Sequence, residues 1–333
     1  METRQLGKSD LYVTPVIFGA WAIGGWMWGG NDKADSIEAI RAALDNGINA
    51  IDTAAIYGFG YSEELVAKAI KGGDRSKIII ATKCGMRWNS EEGSDPWTTK
   101  DNDGNDIVVR KNGTASSIEY ECEQSLKRLN VDYIDLYQMH WPDVDTQPEE
   151  TVRALENLRK QGKVRAIGVS NYDREWMERA TKTATIASLQ PHYNLLVRNI
   201  EKDVLPFCRG KNVGVIAYSP MARGLLTGTV SPERKFGEGD HRAGNKMFSV
   251  ENRQRVLDAL EKIRPIAEKH QASFAQLAIA WTFSEPGITA AIVGARDAKQ
   301  TIDNAAAMRV KLTEPERKAI RAAFDEPAKL MNA

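Results

Sequence analysis

Eight short runs rich in β-branched and aliphatic residues, helical-period stretches between them, and 333 residues without a linker predict an α/β fold. The expected architecture is a (β/α)8 TIM barrel with an N-terminal hairpin and long loops over the C-terminal mouth. The strand candidates are Val16 to Phe18, Ala50 to Asp52, Ile78 to Thr82, Ile134 to Gln138, Ala166 to Val169, Ser188 to Gln190, Val213 to Tyr218 and Ala290 to Val293. Ahead of the first, residues Thr3 to Val13 are expected to turn at Lys8-Ser9-Asp10 and plug the bottom. Apolar residues recur at helical spacing over Ser36 to Leu44, Glu63 to Ile70, Ser117 to Leu129, Glu149 to Arg159, Arg174 to Thr181 and Ile200 to Cys208. Gly47 and Gly162 stand where helices stop.

Alternation alone also suits a doubly wound sheet, but the count favours the barrel. A Gly-x-Gly-x-x-Gly in a first βα turn would support the doubly wound dinucleotide fold; Gly24-Gly25, Gly29-Gly30 and Gly58-Phe59-Gly60 do not match it. Segments Gly85 to Gly113 and Arg223 to Val250 exceed ordinary connections and read as lids or binding loops. Within the former, Arg87 to Gly113 reads as a hairpin or loop over the mouth, with Asp101-Asn102-Asp103-Gly104-Asn105 its most polar part.

A hydrophobic content of 42% supports a sizeable core, and no boundary divides residues 1–333, so one domain is expected. The 45 basic residues balance the 45 acidic ones, which argues against a nucleic-acid-binding stripe. With no apolar signal core at the N-terminus and no membrane-spanning run, a cytoplasmic protein without a membrane partner is expected. Cys84, Cys122 and Cys208 lack a Cys-x-x-Cys pattern and fit a reducing compartment. His192, His241 and His270 have no spacing that suggests a metal site.

Four polar residues follow the strand-like runs: Asp52, Tyr57, Lys83 and His140. Singly, each has an ordinary structural explanation as a cap, a rim aromatic, a solvated strand end or a hydrogen-bonded histidine. Jointly, they gather an acid, a phenol, an amine and an imidazole at one barrel mouth. An amine at a buried strand end needs a carboxylate, and Asp52 ends the neighbouring strand. Cys84 follows Lys83, and the two-residue period of a strand turns it to the opposite face.

The stretches Asp52-Thr53-Ala54-Ala55-Ile56-Tyr57-Gly58, Ala81-Thr82-Lys83, Met139-His140-Trp141-Pro142, Gly162-Lys163-Val164-Arg165-Ala166-Ile167-Gly168-Val169-Ser170-Asn171, Tyr218-Ser219-Pro220 and Gly294-Ala295-Arg296 resemble the aldo-keto reductase family. The likeness covers nearly the whole chain and is nearest the bacterial branch of general-stress and inositol-operon reductases. It implies NAD(P)H-dependent reduction of aldehydes or ketones, sugar-derived ones among them, by the tetrad Asp52, Tyr57, Lys83 and His140. Tyr57 is then the general acid, Lys83 lowers its pKa, Asp52 holds Lys83 charged, and His140 orients the carbonyl.

The resemblance further implies that Ser170, Asn171 and Gln190 hold the nicotinamide carboxamide and that Tyr218 stacks on the ring. Gly19, Ala20 and Trp21 line its near side. Ser219, Pro220, Met221, Arg223, Gly224 and Leu225 follow the pyrophosphate, and Gly294, Arg296, Gln300 and Asn304 hold the adenosine end. Arg296 is expected to clamp a 2′-phosphate, favouring NADPH with NADH also open. Two departures bear on these contacts: Val293 stands where the family often has Pro, and Ala20 where it often has Thr. Among Trp21, Trp26, Trp28, Trp88, Trp97 and Trp141, the substrate wall is assigned to Trp28 and Trp141, beside Tyr57 and His140. The alternative is a cofactor-binding redox sensor with little turnover, because channel β-subunits resemble the same family.

Overall fold

The computed structural model describes residues 2–237 and 240–331; residues 1, 238, 239, 332 and 333, at the chain ends and within the 223–250 segment, lie outside it. The expected strands are present as Val16–Gly19, Ala50–Asp52, Ile79–Cys84, Ile134–Met139, Val164–Ser170, Ser188–Gln190, Gly214–Tyr218 and Ala290–Gly294. All pair in parallel and close into a barrel in chain order, the last strand returning to the first through Val293 opposite Phe18. Right-handed helical crossovers are the ordinary way to connect such strands, and they clothe the outside here.

Side chains along each strand alternate between the interior and the helical layer. The lower interior is apolar: Ile17, Ala50, Ala81, Leu136, Ala166, Ile216 and Ile292 pack with Leu6, Leu11 and Val13. These last three belong to the N-terminal hairpin, whose strands Arg4–Gln5 and Tyr12–Val13 pair antiparallel beneath the barrel. Burying Leu6 and Leu11 contributes about 2 kcal/mol each. The plug fits only because Gly214 has no side chain; a Cβ there would lie 2.6 Å from Leu6 Cδ1. One step higher on the same interior faces stand Asp52, Lys83, Gln138 and Gln190, so the interior turns polar toward the mouth.

Five expected helices appear with slightly wider limits, but the expected helix over 200–208 is divided. Its place is taken by a 3-10 turn, Asn199–Glu201, and a helix, Val204–Lys211. The Asp203 carboxylate accepts from the Val204 N–H, so the chain restarts there with a cap rather than continuing. No helix of the described residues is long and apolar enough to cross a membrane.

The 85–113 segment forms a small antiparallel sheet in which Asp106–Lys111 lies between Met86–Arg87 and Ser94–Lys100. The 223–250 segment meets the loop after the first strand: His241 N–H donates to the Met27 carbonyl, and Trp28 bridges to Asp240.

Candidate active site

Asp52 ends the second barrel strand and Lys83 is the penultimate residue of the third, both facing inward on the side of Ala50 and Ala81. Their side chains are almost wholly withdrawn from solvent, at 2% and 1% exposure. Lys83 Nζ donates to Asp52 Oδ2 at 2.6 Å, to the Thr53 carbonyl at 2.9 Å and to Tyr57 Oη at 3.2 Å. An ammonium has three N–H groups, and each has an acceptor. Asp52 Oδ1 accepts from Gln190 Nε2 at 2.8 Å and more distantly from Gln138 Nε2 at 3.4 Å.

Burial works against the Lys83 charge, but Asp52 and then Tyr57 outweigh it, and the ammonium is held above its ordinary pKa. Tyr57 responds differently. Burial raises its phenol, Lys83 pulls it down and Asp52 raises it again, leaving it above the ordinary value of 10.0. Lys83 therefore acts in the expected direction, but the expected net lowering is corrected: desolvation of the phenolate outweighs it. Burial, followed by the Lys83 charge, pushes His140 well below 6.5, so its imidazole is neutral. The Tyr57 and His140 rings meet edge to face, 5.7 Å between centroids.

Tyr57 sits in a tight loop closed by its own backbone, with Tyr57 N–H donating to the Ala54 carbonyl, Phe59 N–H to the Ile56 carbonyl and Gly60 N–H to the Ala55 carbonyl. Gly58, Phe59 and Gly60 have φ of 64°, 56° and 101°, three left-handed residues in succession. For Phe59 this conformation costs on the order of 1 kcal/mol. Its ring is fixed between Trp26 and Trp88, at 5.8 and 5.7 Å, both edge to face. Behind the loop, Ser62 Oγ bonds Thr53 Oγ1 and the Ala20 carbonyl.

A cavity of about 700 Å³ runs from this corner across the barrel mouth. Asp52, Tyr57, His140, Trp28 and Trp141 line one end; Gly19, Trp21, Ser170, Asn171, Gln190 and Tyr218 follow; then Ser219, Pro220, Met221, Arg223 and Gly224; and Gly294, Arg296, Gln300 and Asn304 line the far end. Three expected site residues are not on the wall. Lys83 stands behind Tyr57, while Ala20 and Leu225 are buried in the packing outside the strands, at 0% and 1% exposure.

The middle of the cavity is tightly ordered. Ser170 Oγ donates to the Gln190 carbonyl at 2.7 Å, and Asn171 Nδ2 donates to Ser170 Oγ at 3.0 Å and to the His140 carbonyl at 3.1 Å. Tyr218 Oη donates to Asn171 Oδ1 at 3.0 Å. Beyond Tyr218 the chain turns left-handed at Ser219, Ala222, Arg223 and Gly224. Such turns group backbone N–H groups into anion-binding concavities. At the far end, Gln300 Oε1 accepts from Arg296 N–H, and Asn304 Nδ2 donates to the Gly294 carbonyl.

Several residues around the cavity are not assigned to the site by the sequence. Gln138 was open to discovery, because it lies two residues before His140 and so faces the same interior. His192 stacks on Tyr218 with ring centroids 5.1 Å apart and planes only 4° from parallel. Burial and the nearby Arg223 push it down to about 4, so it supports that ring as a neutral platform. His241 packs against Trp21 and Trp28, and Arg242 lies over Trp28 while Asp240 grips its guanidinium. Nothing local foretells these, since the loop's path decides them. Among the described residues, no group of three or more His, Cys, Asp or Glu is arranged to hold a metal ion.

The model of the Aldo/keto reductase family matches residues 15–325. Aldo-keto reductase YhdN of Bacillus subtilis (strain 168) is 40% identical over 298 residues, which cover 89% of this chain and 85% of that protein. The NADH-specific methylglyoxal reductase of Escherichia coli (strain K12) is 36% identical over 326 residues, covering 96% and 98%. The glycerol dehydrogenase AKR11B4 from Gluconobacter oxydans superposes with a TM-score of 0.85 at 37% identity, over 97% of this chain and 95% of that one.

Proposed function

Since this chain belongs to the aldo/keto reductase family, we propose that it reduces small aldehydes or ketones to alcohols with NADPH, and that Tyr57 is the general acid. The observation that carries this reading is the Lys83 ammonium 3.2 Å from the Tyr57 hydroxyl, at a cavity wall shared with neutral His140.

The residues fit a nicotinamide dinucleotide. The cavity lining includes the ordered polar cluster of Ser170, Asn171, Gln190 and Tyr218, and the left-handed residues Ser219, Ala222, Arg223 and Gly224 form a turn of the kind that presents backbone donors to a pyrophosphate. Ser170, Asn171 and Gln190 would hold the carboxamide, Tyr218 the ring, and Arg296, Gln300 and Asn304 the adenosine end. When bound, the reduced cofactor supplies a hydride to the carbonyl carbon. Tyr57 donates its proton to the oxygen as negative charge develops there. A phenol raised by burial keeps that proton at neutral pH, and Lys83 stabilises the phenolate left behind. Asp52 keeps Lys83 charged, and the His140 imidazole bonds the substrate oxygen. Arg296 supports a preference for the 2′-phosphate cofactor, although one relative is NADH-specific by name.

The test is steady-state turnover with both cofactors against small oxygenated carbonyls. Methylglyoxal, and glycerol in the reverse direction, come first because they appear in the names of two relatives. Many turnovers per protein with a larger specificity constant for NADPH are expected. A preference for NADH counts against Arg296, and a single slow oxidation of bound cofactor contradicts the enzyme reading in favour of a sensor.

A further inference from the structure

The inserted hairpin touches the Tyr57 loop at its tip. Asn102 Nδ2 donates to the Gly24 carbonyl at 3.0 Å. Gly24 in turn lies against the backbone of Tyr57: a Cβ on Gly24 would stand 3.0 Å from Tyr57 C and 3.1 Å from Tyr57 O. Gly58 completes the contact, since a Cβ there would collide with the Gly24 carbonyl and lie 2.9 Å from Asn102 Nδ2. Asn102, Gly24 and Gly58 thus interlock one residue from the proposed acid.

The tip is built to hold this pose. Asp101 Oδ1 accepts from the N–H groups of Asp103 at 2.9 Å and Asn105 at 2.8 Å, and Asp101 N–H closes the turn on the Asn105 carbonyl at 2.9 Å. Midway along the arm, Thr99 Oγ1 accepts from Trp26 Nε1 at 3.1 Å. At the arm's base, buried Asp143 accepts from Ser94 Oγ, from Gly113 N–H at 2.8 Å and from Thr146 Oγ1 at 2.7 Å. Asp143 is three residues past His140, so the arm runs from the segment carrying His140 to the segment carrying Tyr57.

We propose that the hairpin is a strut that sets the position of Tyr57 relative to Lys83 and His140, and that Asn102 is the positioning residue at its end. The proposal rests on the reading of Tyr57 as general acid for its kinetic consequence, but its geometric content is separate. Backbone hydrogen bonds such as Gly60 N–H to the Ala55 carbonyl give the 58–60 loop its shape, while its seat against Gly24 is set from outside, and Asn102, bonded to Gly24 and packed on Gly58, makes that contact. Losing it lets the loop relax and draws the phenol away from Lys83. A misplacement of about 1 Å can cost as much as 100-fold in rate.

The experiment compares Asn102→Asp, which sets a carboxylate against the Gly24 carbonyl, with Asn102→Ala, which removes the donor. Asp103→Ala at the same tip is the control. The expected kcat loss is about tenfold for Asn102→Asp and smaller for Asn102→Ala, with the cofactor KM and the control unchanged. The Tyr57 phenol, read by ultraviolet difference titration against Tyr57→Phe, should ionise at higher pH in both Asn102 variants. That readout needs no turnover, so it separates failure of the strut from failure of the reductase reading. A phenol titration unmoved by either substitution overturns the proposal; so does an equal kcat loss in Asp103→Ala, or an effect confined to carbonyl KM.

Discussion

Two buried aspartates stand near opposite ends of the barrel wall, each paired with a cation, and they differ in where the pairing leads. Asp135, near the start of the fourth strand, accepts from Arg75 Nη2 at 2.6 Å, Arg165 Nη1 at 2.7 Å and Ile80 N–H at 2.9 Å. Arg165 also reaches Asp10 in the plugging hairpin at 2.8 Å, so the cluster ties together elements of the fold and ends there. Asp52, at the end of the second strand, grips Lys83 at 2.6 Å, but the ammonium reaches onward to Tyr57 and the cavity. Buried ion pairs repay their desolvation only when their hydrogen bonds are completed. The lower cluster spends its bonds on the fold, with Arg75 Nε left without a partner among the described residues, while the upper one spends a donor on a side chain that faces the cavity. This matches the division of barrels into a stabilising bottom and a reactive mouth.

The contrast can be broken by substitution. The largest effect is expected for Tyr57→Phe, which should lower turnover by about 10³-fold while cofactor binding, followed by protein fluorescence, and the urea midpoint stay near wild type. Near-normal turnover would remove Tyr57 from its role. Next comes Asp135→Asn, expected to cost about 3 kcal/mol in urea unfolding with kcat retained; the reverse pattern would place function at the bottom.

The smallest effect concerns a third buried acid, which has no ion-pair partner among the described residues. Glu121 accepts from Gly85 N–H through both carboxylate oxygens, at 3.1 Å each, and from Ser117 Oγ at 3.0 Å. Burial, opposed chiefly by Gly85 and then by Arg87, raises it from 4.5 to about 7. The folded protein therefore binds the proton more tightly than the unfolded chain does. The associated stability is fully present below 4.5 and is lost as pH rises to about 7, a swing of roughly 2–3 kcal/mol. Urea unfolding at pH 5 and 7.5 should show that loss in wild type and a flatter dependence in Glu121→Gln; equal slopes would clear Glu121.

What was legible in the sequence follows the same division between local pattern and tertiary path. Runs such as Ile78 to Thr82 declare buried strands, and the two-residue period placed Cys84 outside and Lys83 inside, as found. Phe274–Ser284 showed no helical period because it is buried nearly all round, with Leu277, Ile279 and Trp281 at 0% exposure. Ile200 to Cys208 carried a helical pattern, but Asp203 resets the chain within it. At the site, the charges around Tyr57 were readable from strand ends, whereas the burial that outweighs Lys83 was not. The 87–113 excursion was readable only as a hairpin or loop, and its grip on Gly24 depends on how two distant loops meet.

The difference between the two ion pairs is tested most directly by the pH dependence of alcohol oxidation in wild type and Lys83→Met at saturating cofactor. On the proposed mechanism, oxidation uses the Tyr57 phenolate as base, so its rate climbs as the phenol ionises. Lys83 favours that ionisation, pulling the phenol's pKa down through its charge and its hydrogen bond. With the ammonium removed, the rising limb should move to higher pH, whereas in Asp135→Asn it should stay in place. A limb at the same pH in wild type and Lys83→Met would contradict the action of the upper pair on Tyr57.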